Sequence, residues 1–316
     1  MTLKQEILEL SRQSQIGELS PFLSDTLDQA IESGHYPDEH RLGEINDYII
    51  WQTQHYREET GRDTIVLGMS GGVDSALTAA IFAKAGYQVV GVTMPIHQDP
   101  VETERGVEAC HALGIEHVHL DLSDLYTSTI EAQSALDLDL SPLADDRKVR
   151  VRLGNIRARL RMVTLYNLAS ARGGMVASTD NLSELGAGFW TLHGDVGDFS
   201  PIQALLKSWE VPSLARLNGV PETTVLATPT DGLGIAAGDE AQLGCSYLEW
   251  DLMVYALANE LEIPASEERV HSAVMSRMKR TWFKRRNPLK VSHPLEDRYA
   301  MIEAADRKYF VPPAFI

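Results

Sequence analysis

Cysteine is scarce: the 316 residues hold two, Cys110 and Cys245. They lie far apart and form no CxxC, so neither a zinc site nor a disulfide framework is expected, and both read as buried thiols in a reducing compartment. Basic residues are also in deficit, with 28 Lys and Arg against 45 Asp and Glu and a formal charge of −17. That balance argues against a nucleic-acid binder relying on a broad basic face, and any anionic ligand must be held by local clusters. No run approaches the ~18 apolar residues of a membrane span. The opening MTLKQEILEL has acidic residues and no long apolar core, unlike a signal peptide. A soluble cytoplasmic protein is the expectation. Both the P-loop string (GxxxxGK then Ser or Thr) and the dinucleotide string GxGxxG are missing. What remains is globular in composition, 44% hydrophobic and 23% charged, which is ample for a core.

Residues 1–60 read as three helical pieces. Their apolar stripes are Leu3, Ile7 and Leu10, then Phe22, Leu23, Leu27 and Ile31, then Leu42, Ile45, Tyr48, Ile49 and Trp51. From Thr64 the pattern alternates: strand 64–69, helix 75–85, strand 87–95, helix 102–113, strand 116–121, helix 124–134. Near-continuous apolar strands at this spacing predict an α/β fold, a doubly wound parallel sheet with helices on both faces. The expected organisation is an N-terminal helical extension, 1–60, packed on one domain over 61–316. Residues 135–150, broken by Pro142, read as a mobile loop. A helix over 154–171, a fourth strand over 174–181 and a helix over 202–217 follow, and Asp239 opens another helix. Residues 277–290 hold seven basic side chains and no acid, which reads as a mobile flap closing over polyanions.

Chemistry concentrates where the first strand ends. Gly68, Met69, Ser70, Gly71, Gly72, Val73, Asp74 and Ser75 form a strand–turn–helix junction. Paired glycines let the backbone adopt positive φ and approach a ligand closely. The turn and the helix N-terminus can then aim free N–H groups at a phosphate. Asp74 would repel that guest unless a cation such as Mg2+ lay between them. Later candidates are Arg159 at the edge of a helix stripe, the polar end of the fourth strand with Glu184 after it, and the pair Asp195 and Asp198 in a Gly-rich stretch.

The string SGGVDS resembles the pyrophosphate loop of the N-type ATP pyrophosphatases. GNIRARLRM (154–162), STDNLSE (178–184), GFWTLHGDVGDFSPI (188–202), ATPTDGL (227–233), DEAQLGCSY (239–247) and FKRRNP (283–288) follow in order. With them, the chain is similar to the ammonia-dependent NAD synthetases from about Ile45 to Pro288. That resemblance implies a homodimeric ligase that uses ATP and Mg2+ to amidate deamido-NAD with ammonia through an adenylate, releasing AMP and pyrophosphate. It places ATP on Gly68 to Ser75, Thr179, Lys207 and Thr230, Mg2+ on Asp74 and Glu184, and deamido-NAD on Arg159, Asp198 and Lys284. Asp74, Lys207 and Asp198 are then the expected catalytic residues, with Asp195 an equal candidate for taking the proton of ammonium. Departures exist: many family members have Lys-Tyr where this chain has Leu192-His193, and His where it has Phe283. No glutaminase domain is expected within 316 residues beside this fold. Rival readings are an ATP pyrophosphatase acting on another carboxylate, and a nucleotide-binding module without turnover. Retention of Asp74, Glu184 and Lys207 together argues against the second.

Overall fold

A computed structural model describes residues 1–11, 19–136, 147–228, 238–291 and 298–309. Its centre is a parallel four-stranded sheet: β1 (Thr64–Gly68), β2 (Gln88–Thr93), β3 (Glu116–His119) and β4 (Met175–Val176), in the order β3-β2-β1-β4. Helices α1 (Leu3–Ser11), α2 (Pro21–Glu32) and α3 (Glu39–Thr60) precede the sheet. The strands are joined by α4 (Val73–Lys84), α5 (Pro100–Ala112), α6 (Ser123–Gln133) and α7 (Arg147–Ala171). After β4 come α8 (Leu182–Ala187), α9 (Glu210–Leu217), α10 (Glu222–Val225), α11 (Asp239–Leu243), α12 (Tyr247–Ala258), α13 (Glu268–Thr281) and α14 (Arg298–Tyr309).

Strand alternation sets the layers, because successive side chains point to opposite faces. Ile65 and Leu67 enter one core with α4, while Val66, Val90 and Val92 enter a second with Met162 and Leu165 of α7. Both faces are therefore covered, as the apolar strands require. The chain runs outward from β1 to β3 and then returns to the other side of β1. Between the C-terminal ends of β1 and β4 lies the topological switch point, where open α/β sheets bind ligands.

The N-terminal helices belong to the main core. Ile7, Leu23, Leu27 and Ala30 are fully buried in the cluster that contains Ile65 and Leu67. Ser20 caps α2 by accepting from Leu23 N, and Asp38 caps α3 by accepting from Arg41 N over 2.9 Å. The third stripe is narrower than the sequence suggests. Leu42 is buried, but Tyr48 and Trp51 stack on each other in solvent, and polar Asn46 and Thr53 take inward positions.

Three further expectations change. Helix α7 begins at Arg147, so the end of the predicted 135–150 loop is helical, while 137–146 lie outside the described residues. The fourth strand is two residues long with a single bridge, Ala177 to Phe199, because Asp198 takes the Val176 N–H on its side chain at 2.9 Å. The helix expected over 202–217 exists only as α9. Leu206 N donates to Glu210 Oε2 at 2.8 Å and Lys207 N to Ser183 Oγ at 3.1 Å, so side chains take the amides a helical ladder would use.

Candidate active site

A cleft opens above the switch point, lined by the β1–α4 turn, the ends of β2 and β4, α7, α8 and the 277–284 region. The turn is shaped by what it touches. Gly71 has φ 82°, and a Cβ there would come within 2.1 Å of the Glu102 carbonyl oxygen, so only glycine fits against α5. Gly72 is the N-cap of α4 and gives it no side-chain cap, which leaves the first amides of the helix for a ligand. Ser70 Oγ accepts from Gly72 N at 3.2 Å and meets Ser75 Oγ at 3.2 Å, holding the loop closed. Arg105 of α5 donates its Nε–H to Gly71 O over 3.2 Å and lines the same cleft.

Beside the loop, three charged side chains from three segments converge. Asp74 Oδ1 accepts from Asn181 Nδ2 at 2.9 Å, and Asp74 Oδ2 pairs with the ammonium of Lys207. Asn181 in turn caps α8 in a capping box with Glu184, accepting from Glu184 N at 3.0 Å and donating its own N–H to Glu184 Oε2 at 3.2 Å. That box aims Glu184 at Asp74. Burial, and then the charge of Asp74, push the Glu184 carboxyl well above its usual range. Burial works against the Lys207 charge, but Asp74 and Glu184 outweigh it and raise its pKa. Buried Asp239, held by the Tyr247 hydroxyl at 3.3 Å, adds to the field on both. A buried carboxyl raised by burial and by a facing carboxylate marks a site that favours a cation.

The other end of the cleft is aromatic and mixed in charge. Asp195 lines it and accepts from Thr191 N at 2.5 Å. Burial raises its carboxyl, against the pull of that N–H and of Arg161. Lys284 donates to Gly188 O at 2.8 Å and Trp190 O at 2.5 Å, and its ammonium lies 5.4 Å from the centre of the Trp190 ring. Burial, then repulsion from Arg277, lower its pKa to about 8. Arg277 donates to Ala187 O at 2.9 Å, and Arg285 to Gly186 O at 2.8 Å. The basic segment read as a flap is thus the end of α13 and a 3-10 turn over Trp282–Arg286, docked on the 185–190 backbone.

The cleft brings together Gly68, Met69, Ser70, Gly72, Val73, Asp74, Ser75, Thr179, Glu184, Lys207 and Lys284, all expected from the sequence. Thr230 lies outside the described residues, although its neighbour Thr228 lines the cleft. Arg159 and Asp198 do not line it. Arg159 donates to Leu192 O at 3.2 Å, and Asp198 accepts from Tyr166 OH at 2.8 Å as well as from Val176 N. Sequence reasoning missed Asp180, Asp239, Arg105 and Arg277. Asp180 is buried and accepts from Gln203 Nε2 at 2.5 Å. A polar residue directly after an apolar strand was the signal for it, whereas nothing local marks Arg105 among helix surface charges.

A parallel α/β sheet with a glycine turn capping a helix at its switch point, beside a largely shielded Asp–Lys–Glu cluster, defines a phosphate-binding site of the nucleotide-binding α/β type. The family model for NAD synthase matches residues 45–288, and the chain belongs to that family. It is 35% identical over 205 residues to the NH(3)-dependent NAD(+) synthetase of Alkaliphilus oremlandii, covering 64% of this chain and 81% of that protein. The Pyrococcus furiosus protein of the same name is 35% identical over 254 residues, 76% of this chain and 93% of its own length. Among solved structures, an NH3-dependent NAD synthetase from Campylobacter jejuni superposes with a TM-score of 0.62 at 26% identity, covering 81% of this chain and 99% of that one. An NMN synthetase from Francisella tularensis shares the fold, with a TM-score of 0.69 at 24% identity over 80% of this chain and 99% of its own.

Proposed function

We propose that the chain condenses ammonia with the nicotinic acid carboxylate of deamido-NAD, using ATP and releasing AMP and pyrophosphate. The observation that carries the reading is the Asp74–Lys207–Glu184 cluster set directly against the open amides of α4. A carboxylate is a poor electrophile and ATP repels it, so the two must be held in line while cations neutralise the phosphates. The amides of Gly72 to Ser75 cradle the triphosphate. Lys207 stabilises charge developing on pyrophosphate.

Mg2+ fits the donor set. Asp74 and Glu184 are hard oxygen donors whose mutual repulsion a divalent ion would relieve. Among the described residues no set of three His, Cys, Asp or Glu side chains can hold a metal ion, so phosphate oxygens and water would complete its shell. When bound, the ion would neutralise phosphate charge. At the far end, Asp195 is placed to take the proton from ammonium. It lines the cleft, and its raised carboxyl suits a base, whereas Asp198 is engaged by Tyr166 and Val176 outside it. Lys284 faces the dinucleotide. Arg159 and Asp198, on the β4 side of the sheet with exposed Val163 and Tyr166 on α7, support a homodimer through that face.

The test is a balance of products from ATP, Mg2+, ammonium and deamido-NAD with purified protein. Equal amounts of NAD and pyrophosphate are expected, and neither without Mg2+. Pyrophosphate without NAD would overturn the choice of substrate. ATP binding with neither product would overturn the ligase reading.

A further inference from the structure

Lys207 and Glu184 come from different segments, and a buried polar link ties those segments together behind the cleft. The Lys207 N–H donates to Ser183 Oγ over 3.1 Å, and Ser183 immediately precedes Glu184 in α8. One residue beyond Lys207, the Ser208 N–H donates to Asp251 Oδ2 over 3.3 Å. The hydroxyls of Ser183 and Ser208 lie beside the Asp251 carboxylate and favour its charged form. Asp251 therefore holds the Ser208 backbone with the Ser183 hydroxyl beside it, at the point where the two segments meet. Leu182 N donates to Leu205 O at 2.9 Å, adding a backbone tie alongside. From the turn between α2 and α3, the Tyr36 hydroxyl reaches Ser208 Oγ at 3.1 Å, and the Trp209 indole donates to Pro37 O at 2.7 Å.

The placement is costly for packing alone. Asp251 sits on α12 between Trp250 and Leu252, all three buried, where an apolar side chain would satisfy the core. Burial pushes its carboxyl up to about 6, and the bonds from Ser183 and Ser208 pull it back toward the charged form. A buried carboxylate that accepts from the Ser208 amide and faces the Ser183 hydroxyl can fix the position of one segment against the other through charge-assisted, directional interactions.

We propose that Asp251 is a positioning residue: it sets the backbone of Lys207 against that of Glu184, so that the ammonium and the carboxylate keep their separation around the triphosphate. This rests on the reading that Lys207 and Glu184 act at the phosphates. Loss of the link would displace Lys207 without touching any ligand directly.

The experiment compares Asp251→Ala, Asp251→Asn and wild type by steady-state kinetics and by hydrogen exchange of the 205–210 peptide against the β1 peptide. A displacement of about 1 Å can cost about a hundredfold in rate. Asp251→Ala is expected to lose ten- to a hundredfold in kcat with little change in KM for ATP, and Asp251→Asn, which keeps one acceptor, to recover part of it. In Asp251→Ala the 205–210 amides should lose protection while those of β1 keep theirs. Unchanged protection at 205–210, or a lowered melting temperature with wild-type kcat, would overturn the proposal. Should Asp251→Ala fail to fold, Ser183→Ala removes the link and leaves Asp251 bonded to Ser208. The same kcat loss is expected there, and wild-type kcat in that variant would overturn the brace. If wild-type protein makes no NAD while Asp251→Ala still loses protection at 205–210, the amidation reading falls and the brace does not.

Discussion

Two regions of expected site residues are built differently. At the inner end, Asp74, Glu184 and Lys207 arrive from three segments and meet through direct bonds and a shared field, with Asn181 and Ser183 holding them from behind. At the outer end, Arg159 and Asp198 bond only their own chain's neighbours and stay out of the cleft. The contrast follows from topology: parallel strands deliver their following turns to one edge, so residues just past β1 and β4 must converge. Residues on the flank of α7 and beside β4 lie outside the cleft.

The contrast is broken most directly at Lys207. Replacing it with Met removes the cation that offsets Asp74, Glu184 and Asp239. A loss of about 10³ in kcat/KM is expected, of the size seen when one preorganised donor to a developing anion is removed. Stability should also fall by about 3–5 kcal/mol, because a buried pair is broken and one side is left uncompensated. Product assays and denaturant melts check both. Activity within tenfold of wild type would mean that the inner end is not where charge develops.

Asp195→Asn should cost about 10²-fold in kcat, the lower range for losing a general base. Its sign with pH is specific. Burial raises the carboxyl, so the base form is lost on acidification at a higher pH than for an ordinary carboxylate, and wild-type kcat should fall there. The Asn variant should lack that limb. A pH–rate profile of the two proteins at saturating substrates decides it.

Lys284→Ala comes third, with about a tenfold rise in KM for deamido-NAD and little change for ATP, the scale of one charged hydrogen bond. Because burial lowers its pKa to about 8, the ammonium is charged below that pH and neutral above it. Attraction for an anionic dinucleotide is therefore present below about 8 and lost on going higher. Wild-type KM for deamido-NAD should rise across that point, and the Ala variant's should stay flat. Equal effects on the two substrates would move Lys284 to the phosphate end.

How legible each end was in the sequence follows the same division. Ser70 to Ser75 could be read directly, because two glycines before a helix start have a local physical meaning, and Asp74 stood out as an anion beside an anion site. Lys207 was found but placed on a helix. Its segment is irregular because Ser183 and Glu210, one distant and one local, take its amides, and the longer-range bond leaves no trace in periodicity. Asp239 was read only as a helix start and Asp251 was not singled out, since pairwise burial is a property of the fold. Tyr48 and Trp51 were counted as core on helical period alone, although Asn46 and Thr53 occupy the inner face. At the outer end, motif resemblance named Arg159 and Asp198 without saying which way they point.

Asp198→Asn gives the smallest expected effect and the sharpest division between the two aspartates. The Asp198 carboxylate accepts from Val176 N at 2.9 Å and Tyr166 OH at 2.8 Å, where an amide can keep its oxygen on Val176 and turn its N–H to the Tyr166 hydroxyl, which then accepts. Stability should fall by about 0.5–1.5 kcal/mol from the loss of the charge-assisted bonds. With both substrates saturating, kcat should stay within about twofold of wild type, well under 1 kcal/mol in barrier, if the proton of ammonium is taken by Asp195 as proposed. Tyr166, whose hydroxyl is raised to about 12 by burial and by Asp198, should titrate lower in the variant, which an absorbance titration would show. A fall in kcat matching that of Asp195→Asn, with the acid limb lost, would exchange the roles of the two residues. The chemical end of the cleft would then extend to the β4 side, and the division between a closed inner end and an open outer one would no longer hold.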